Sequence, residues 1–212
     1  GTASVNSTSG VVTGVAAGNA TITYTLSNGC FVTRTVTVNT QPGAISGTPT
    51  VCTGFTTGLS SSPGGGTWSS SNSGIATIGS STGIVGGVSA GVATMTYMLG
   101  TGCYVTSVVT VNALPGTIGG TLYTCEGSTT TLTNSAGGGV WSSSNGSIAT
   151  VGSSSGSVCG GAVGVFNITY TTSPGCYVTT VMSVSPLPAA ISGASSVCVG
   201  QCTTFTDVDA GG

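Results

Sequence analysis

The side chains with the most chemistry to offer are eight cysteines: Cys30, Cys52, Cys103, Cys125, Cys159, Cys176, Cys198 and Cys202. Thiols can ligate zinc, act as nucleophiles or oxidise in pairs. The first two roles lean on histidine or on C-x-x-C spacing, and the 212-residue chain has neither. Disulfide formation is the chemistry that fits, and it implies an oxidising, extracellular compartment. Buried thiols that stay reduced are the other reading. Only four residues carry a formal charge: Arg34, Glu126, Asp207 and Asp209. Asp207 and Asp209 could contribute to a calcium site, but neither recurs in the related segments described below. Acid–base catalysis through histidine is impossible, and three carboxylates leave little for hydrolytic chemistry. One arginine cannot displace counterions from a phosphate backbone, which argues against a nucleic-acid partner. We therefore expect no enzyme and no cofactor.

The elements that position these cysteines are strands. Glycine fills 38 positions and Ser plus Thr about a third of the chain, yet 38% of residues are hydrophobic. Disordered chains have low apolar content or high net charge. Here Val, Ile, Thr and Tyr fall in short runs separated by glycine, which is strand composition. No run approaches the ~18 apolar residues of a membrane helix, so no membrane span is expected.

One period organises the chain. Cys30, Cys103 and Cys176 lie 73 residues apart, as do Cys52, Cys125 and Cys198. Tyr24, Tyr97 and Tyr170 keep the same spacing, and so do Trp68 and Trp141. GGGTWSSSNSGIATIGSSTG at 64–83 aligns without a gap on GGGVWSSSNGSIATVGSSSG at 137–156. This predicts a tandem array: the C-terminal part of one domain at 1–39, complete domains at 40–112 and 113–185, and the N-terminal part of another at 186–212. Three periods need 3 × 73 = 219 residues, so tail joined to head the chain is a three-repeat frame lacking seven positions, those of Thr67–Ser73.

Within 40–112, the segments AISGTPTV, FTTGLSS, TWSS, IATI, IVGGV, GVATMTYML and YVTSVVTVN read as short strands. GVATMTYML alternates strictly, with Ala93, Met95 and Tyr97 on one face and Thr94, Thr96 and Met98 on the other. Gly102-Cys103 then turns the chain into the last strand. About seven strands in some 70 residues indicate an all-β fold, a series of antiparallel β-sandwiches.

The string WSSSN–x–(S/G)–IAT(I/V)–G–S–S–x–G, continuing to (M/I)-T-Y, resembles the bacterial immunoglobulin-like group 2 domain of intimin- and invasin-type surface proteins. The first copy, ASVNSTSGVVTGVAAGNATITYT, is especially close. The cysteine-bearing half, GCxV…P…VC–x–G, is more similar to long multi-domain surface proteins of Bacteroidetes-type bacteria. The resemblance implies tandem immunoglobulin-like sandwiches at a cell surface. It also implies that Trp68 and Trp141 are core residues of strand C, not platforms for sugar rings, and that Tyr24, Tyr97 and Tyr170 face the same core. In such a sandwich the turn before strand B and the F–G hairpin lie at opposite ends, roughly 20 Å or more apart, whereas a disulfide needs Cα atoms within about 7 Å. Cys52 and Cys103 should thus stay apart. In a head-to-tail stack Cys52 meets Cys176, while Cys125 and Cys198 look to counterparts of Cys30 and Cys103 in a following copy. Cys159 and Cys202 are private to their repeats and could pair with each other if neighbouring domains pack side by side; the sequence does not fix their connectivity. Phe31, Tyr104 and Tyr177, which follow the hairpin cysteines, are expected to pack between domains.

The links NTQPG, NALPG and SPLPA contain proline and should stiffen the array. Charge ordinarily protects strand edges and keeps chains apart, and it is almost absent here. The expectation is a chain that associates with itself head to tail: a structural subunit of an extracellular filament or surface sheath, locked by disulfides, its half-domains completed either between copies by strand addition or by covalent neighbours in a longer chain. The alternative is the stalk of a large cell-surface adhesin whose binding tip lies elsewhere. A glycan-binding module ranks behind both.

Overall fold

The computed structural model describes residues 1–207, and all regular structure among them is strand. The chain divides into two compact units, Gly1–Ala113 and a second from Leu114 onward.

In the first unit, residues 40–112 form a complete sandwich. One sheet orders β5 (Ser46–Gly47), β7 (Thr56–Ser60), β10 (Ile84–Gly87) and β9 (Ala76–Ile78). The other orders β6 (Thr50–Cys52), β12 (Tyr104–Asn112), β11 (Gly91–Met98) and β8 (Thr67–Ser70). This is the A-B-E-D and A′-G-F-C arrangement of an immunoglobulin-like domain. The fold class is thus all-β and immunoglobulin-like. Two details depart from the reading of the sequence. AISGTPTV is two strands in different sheets, since the chain crosses at Thr48-Pro49 and proline cannot continue the β5 ladder. The second of these strands, β6, runs parallel to β12, pairing Val51 with Val111 and Cys52 with Asn112.

The core follows from period-two alternation. Ala93, Met95 and Tyr97 point inward from β11 and are almost fully covered, while the alternate residues are more open. From the opposite sheet come Leu59, Ala76 and Val85; Trp68, Val109, Val111 and Val51 complete the cluster. Hydrophobic burial supplies the driving force, about 1.5–3 kcal/mol for each fully buried large side chain.

The second unit contains a sandwich built from the counterpart residues. β13 (Tyr123–Cys125), β19 (Cys176–Ser185), β18 (Gly164–Thr172) and β15 (Val140–Ser143) form one sheet. β14 (Thr129–Thr131), β17 (Ser157–Gly160) and β16 (Ala149–Val151) form the other. The first strand of this sheet is reduced to a single bridge, Gly119 to Thr133. Leu132, Trp141, Val158, Ile168, Tyr170 and Met182 are among the core residues.

Residues 1–39 supply only four strands. β1 (Ala3–Val5) pairs with β2 (Val12–Gly14), and β3 (Gly18–Thr25) pairs with β4 (Phe31–Val38). A Cβ at Gly14 would sit 2.7 Å from the Val38 side chain, so the two hairpins approach closely there. Among the described residues, no third strand joins either hairpin. At the other end, 186–207 was expected to hold two strands and contains only the bridge between Ser192 and Thr206. In the complete domains these strands draw their hydrogen bonds from the fifth and last strands of the same sandwich, which the segment lacks.

Candidate assembly surfaces

The best-defined polar cluster gathers around the tryptophans. Trp68 pairs across the sheet with Tyr97, and their rings lie 4.8 Å apart with planes at 48°. The Tyr97 hydroxyl donates to the Pro63 carbonyl at 2.8 Å and accepts from the Gly66 amide at 2.9 Å. That closes the Gly64–Gly66 loop over the aromatic pair. The arrangement recurs 73 positions later, where Trp141 and Tyr170 are 4.6 Å apart and the Gly139 amide donates to the Tyr170 hydroxyl at 2.8 Å. Glycine is required at both loops, because a Cβ at Gly66 or Gly139 would lie 2.5 Å from the tyrosine ring. A shallow cleft of about 200 Å³ opens beside Trp68, lined by Ser60, Ser61, Ser81 and Thr82 among others. Both tryptophans are only 5–6% exposed, too covered to present a ring face to a sugar.

The SSSN motif extends the strand that carries tryptophan. The Ser71 hydroxyl accepts from the Thr94 amide at 2.9 Å, and the Ser71 amide donates to the Thr94 carbonyl at 2.9 Å. Ser144 does the same with Asn167. Asn72 and Asn145 accept from the amides of Gly74 and Ser147, fixing the turn that follows. These roles were invisible in the sequence, although a serine repeated at one register beside a buried tryptophan was the available signal.

The cysteines separate into two groups. Cys52 and Cys176 are disulfide-bonded, and Cys30, Cys103, Cys125, Cys159, Cys198 and Cys202 are free thiols. Cys159 and Cys202, which side-by-side domains could bring together, are not bonded to each other within the chain. Val158 and Gly160 point inward from β17, which turns Cys159 out to solvent, and Cys202 lies in the irregular segment after β19. Cys103 and Tyr104 line a cleft of about 450 Å³ with Asn39 and Gln41, where the first half-domain meets the next. Tyr104 and Phe31 are both exposed. Asp209 lies outside the described residues, and the described ones contain no cluster of potential metal ligands.

Tyr24 corrects an expectation. Its counterparts Tyr97 and Tyr170 are buried, but Tyr24 is 67% exposed. Trp68 and Trp141 pack against the two buried tyrosines, and residues 1–39 contain no tryptophan. The consequence is an open apolar face on β1–β4. A groove of about 400 Å³ there is lined by Val5, Ile22 and Tyr24, and an adjoining one of about 130 Å³ by Tyr24, Leu26, Phe31 and Val32.

No protein-family model matches the chain, and no curated protein does. Among solved structures, the chain is similar to domains 4 and 5 of the S-layer protein SbsC, with 19% identity over 68% of this chain and 99% of that one, at a TM-score of 0.34. It is also similar to a longer SbsC fragment, with 18% identity, 96% and 40% coverage and a TM-score of 0.35. A C-terminal 282-residue fragment of intimin, solved with the intimin-binding domain of its translocated receptor, matches at 16% identity, 84% and 60% coverage and a TM-score of 0.38. The chain spans two-fifths of the longer SbsC fragment and three-fifths of the intimin fragment.

Proposed function

We propose that the chain is a structural element of an extracellular surface layer or filament, in which immunoglobulin-like domains stand in series and disulfides brace them. The observation that carries this reading is the pair of complete sandwiches at 40–112 and 113–185. They are built on counterpart core residues, and their covered interiors contain no charged or catalytic group. A site for chemistry would need convergent polar side chains in a pocket. The clefts here are shallow and lined by serine, threonine and glycine around structural aromatics.

Two further features support an extracellular, load-sharing role. Cys52 and Cys176 are in the disulfide form, which belongs to an oxidising compartment. The reading pairs them with each other, as a brace from one repeat to the next. No helix among the described residues is long and apolar enough to cross a membrane. The adhesin-stalk alternative uses the same domains in the same order and differs only in what the array presents at its tip.

Alkylation of thiols in native material, followed by mass spectrometry without reduction, tests the reading. The expected result is a peptide joining Cys52 to Cys176. Recovery of all eight cysteines as reduced thiols would overturn it.

A further inference from the structure

We propose that each complete domain carries a binding site for an uncharged sugar, in the cleft beside its tryptophan. The site holds a ligand and does no catalysis. It belongs to the folded sandwich whether or not the domains stand in series.

The cleft is built twice from the same ten repeat positions. Every residue that lines the cleft beside Trp68 has its counterpart, 73 positions on, lining the cleft beside Trp141. Their volumes are about 200 and 470 Å³. Three segments contribute in each case: the end of β7 or the residues after β14, the glycine loop at 64–66 or 137–139, and the turn at 81–82 or 154–155.

Each cleft offers hydrogen-bonding groups that the domain itself does not use. Among the described residues, only Asn112 Nδ2 is both sealed from solvent and without a partner. The two indole N–H groups donate to no acceptor there, so they keep access to solvent, and the cleft is where each tryptophan meets it. Glycine keeps that edge of the indole open. A Cβ at Gly83 would stand 3.1 Å from Trp68 Nε1, and one at Gly156 would stand 3.0 Å from Trp141 Nε1. Beside them, Ser81 and Ser154 are exposed. The Thr82 and Ser155 hydroxyls accept from the amides of Ile84 and Ser157 and retain their own protons to donate.

These groups select the ligand. Residues 40–112 carry no charge, and Glu126, the one charged residue of 113–185, precedes β14, whereas the cleft follows it. A phosphate or carboxylate would lose hydration there with no counter-charge in return. An apolar ligand would strand the indole N–H and the serine hydroxyls. A compact ring bearing several hydroxyls gives the N–H an acceptor and the serines both donors and acceptors, and that is the chemistry of a neutral saccharide. The sugar lies against the indole edge, because the ring itself packs on tyrosine. Clefts this shallow bind weakly, but one site in each repeat lets an array hold a polysaccharide through many weak contacts.

The chain has two tryptophans, so an isotope-labelled sample of the full chain gives two indole N–H signals in nuclear magnetic resonance, which Trp68→Phe and Trp141→Phe assign. Cellobiose, maltose and N,N′-diacetylchitobiose are titrated in turn, with glycerol at matched hydroxyl concentration as the control. One or more of the disaccharides should move both signals downfield along saturable curves of similar, millimolar affinity, while glycerol leaves them in place. Ser81→Ala should weaken the response at Trp68 by about 3- to 10-fold and spare that at Trp141, and Ser154→Ala should do the reverse. Both serines are exposed turn residues, and unchanged urea midpoints check that the domains remain folded. Indole signals that no disaccharide moves, that glycerol moves equally, or that ignore the serine substitutions would overturn the proposal. Signals that shift with protein concentration alone would also overturn it, by marking the clefts as docking sites for a loop of another copy.

Discussion

Trp68 and Tyr97 sit directly opposite each other on neighbouring strands, with ring centroids 4.8 Å apart. The tyrosine therefore serves two layers at once. Its ring packs against the indole in the core, and its hydroxyl reaches the backbone of the glycine loop. Replacing Tyr97 by Phe keeps the ring and leaves the Gly66 amide and the Pro63 carbonyl without that partner. The expected cost is about 1–3 kcal/mol, read from the urea midpoint followed by tryptophan fluorescence.

A methyl group at Gly139 would meet the Tyr170 ring at 2.5 Å. Gly139→Ala should therefore destabilise its domain by about 1–3 kcal/mol through overpacking. Gly146, where a Cβ meets nothing within 4 Å, is the control. Thermal denaturation of the two variants side by side should show a clear loss only in the first.

Alternation along β11 gives a sharper contrast. Met95 is fully buried, whereas Val92 on the same strand is 56% exposed. Met95→Ala should cost about 2–5 kcal/mol by leaving a cavity, and Val92→Ala should stay within about 0.5 kcal/mol. Comparable losses in chemical denaturation would mean that the inward face has been misassigned.

Residues 40–112 contain no ionisable acid or base among Asp, Glu, Lys, Arg and His. Screening has nothing to act on there, so moderate sodium chloride should leave the melting temperature of this domain unchanged. Sulfate, which strengthens apolar burial through exclusion from the surface, should raise it. Calorimetry in matched buffers separates the two.

Much of this architecture was legible because alternation and glycine placement are local signals. TWSS, IATI and GVATMTYML became β8, β9 and β11 with little change, since each has one wet face and one dry face. The crossing at Thr48-Pro49 was not legible, because a short apolar run does not say which sheet it joins. The parallel pairing of β6 with β12 joins segments about 60 residues apart and leaves no local mark. The exposure of Tyr24 depends on a covering tryptophan that its own segment does not contain. The outward direction of Cys159 was not legible either, because a position in the repeat says nothing about which way a thiol faces.

That parallel pair has a mechanical meaning. After the two-residue β5 the chain passes into β6, and it leaves the sandwich at the end of β12; β6 and β12 are adjacent and run the same way. Tension applied to the two ends therefore slides one strand along the other, and the rungs at Thr50, Val51 and Cys52 share the load together. A hairpin pulled at its open end would break one rung at a time. The direction of one short strand thus decides that this pairing yields by shearing, not by unzipping.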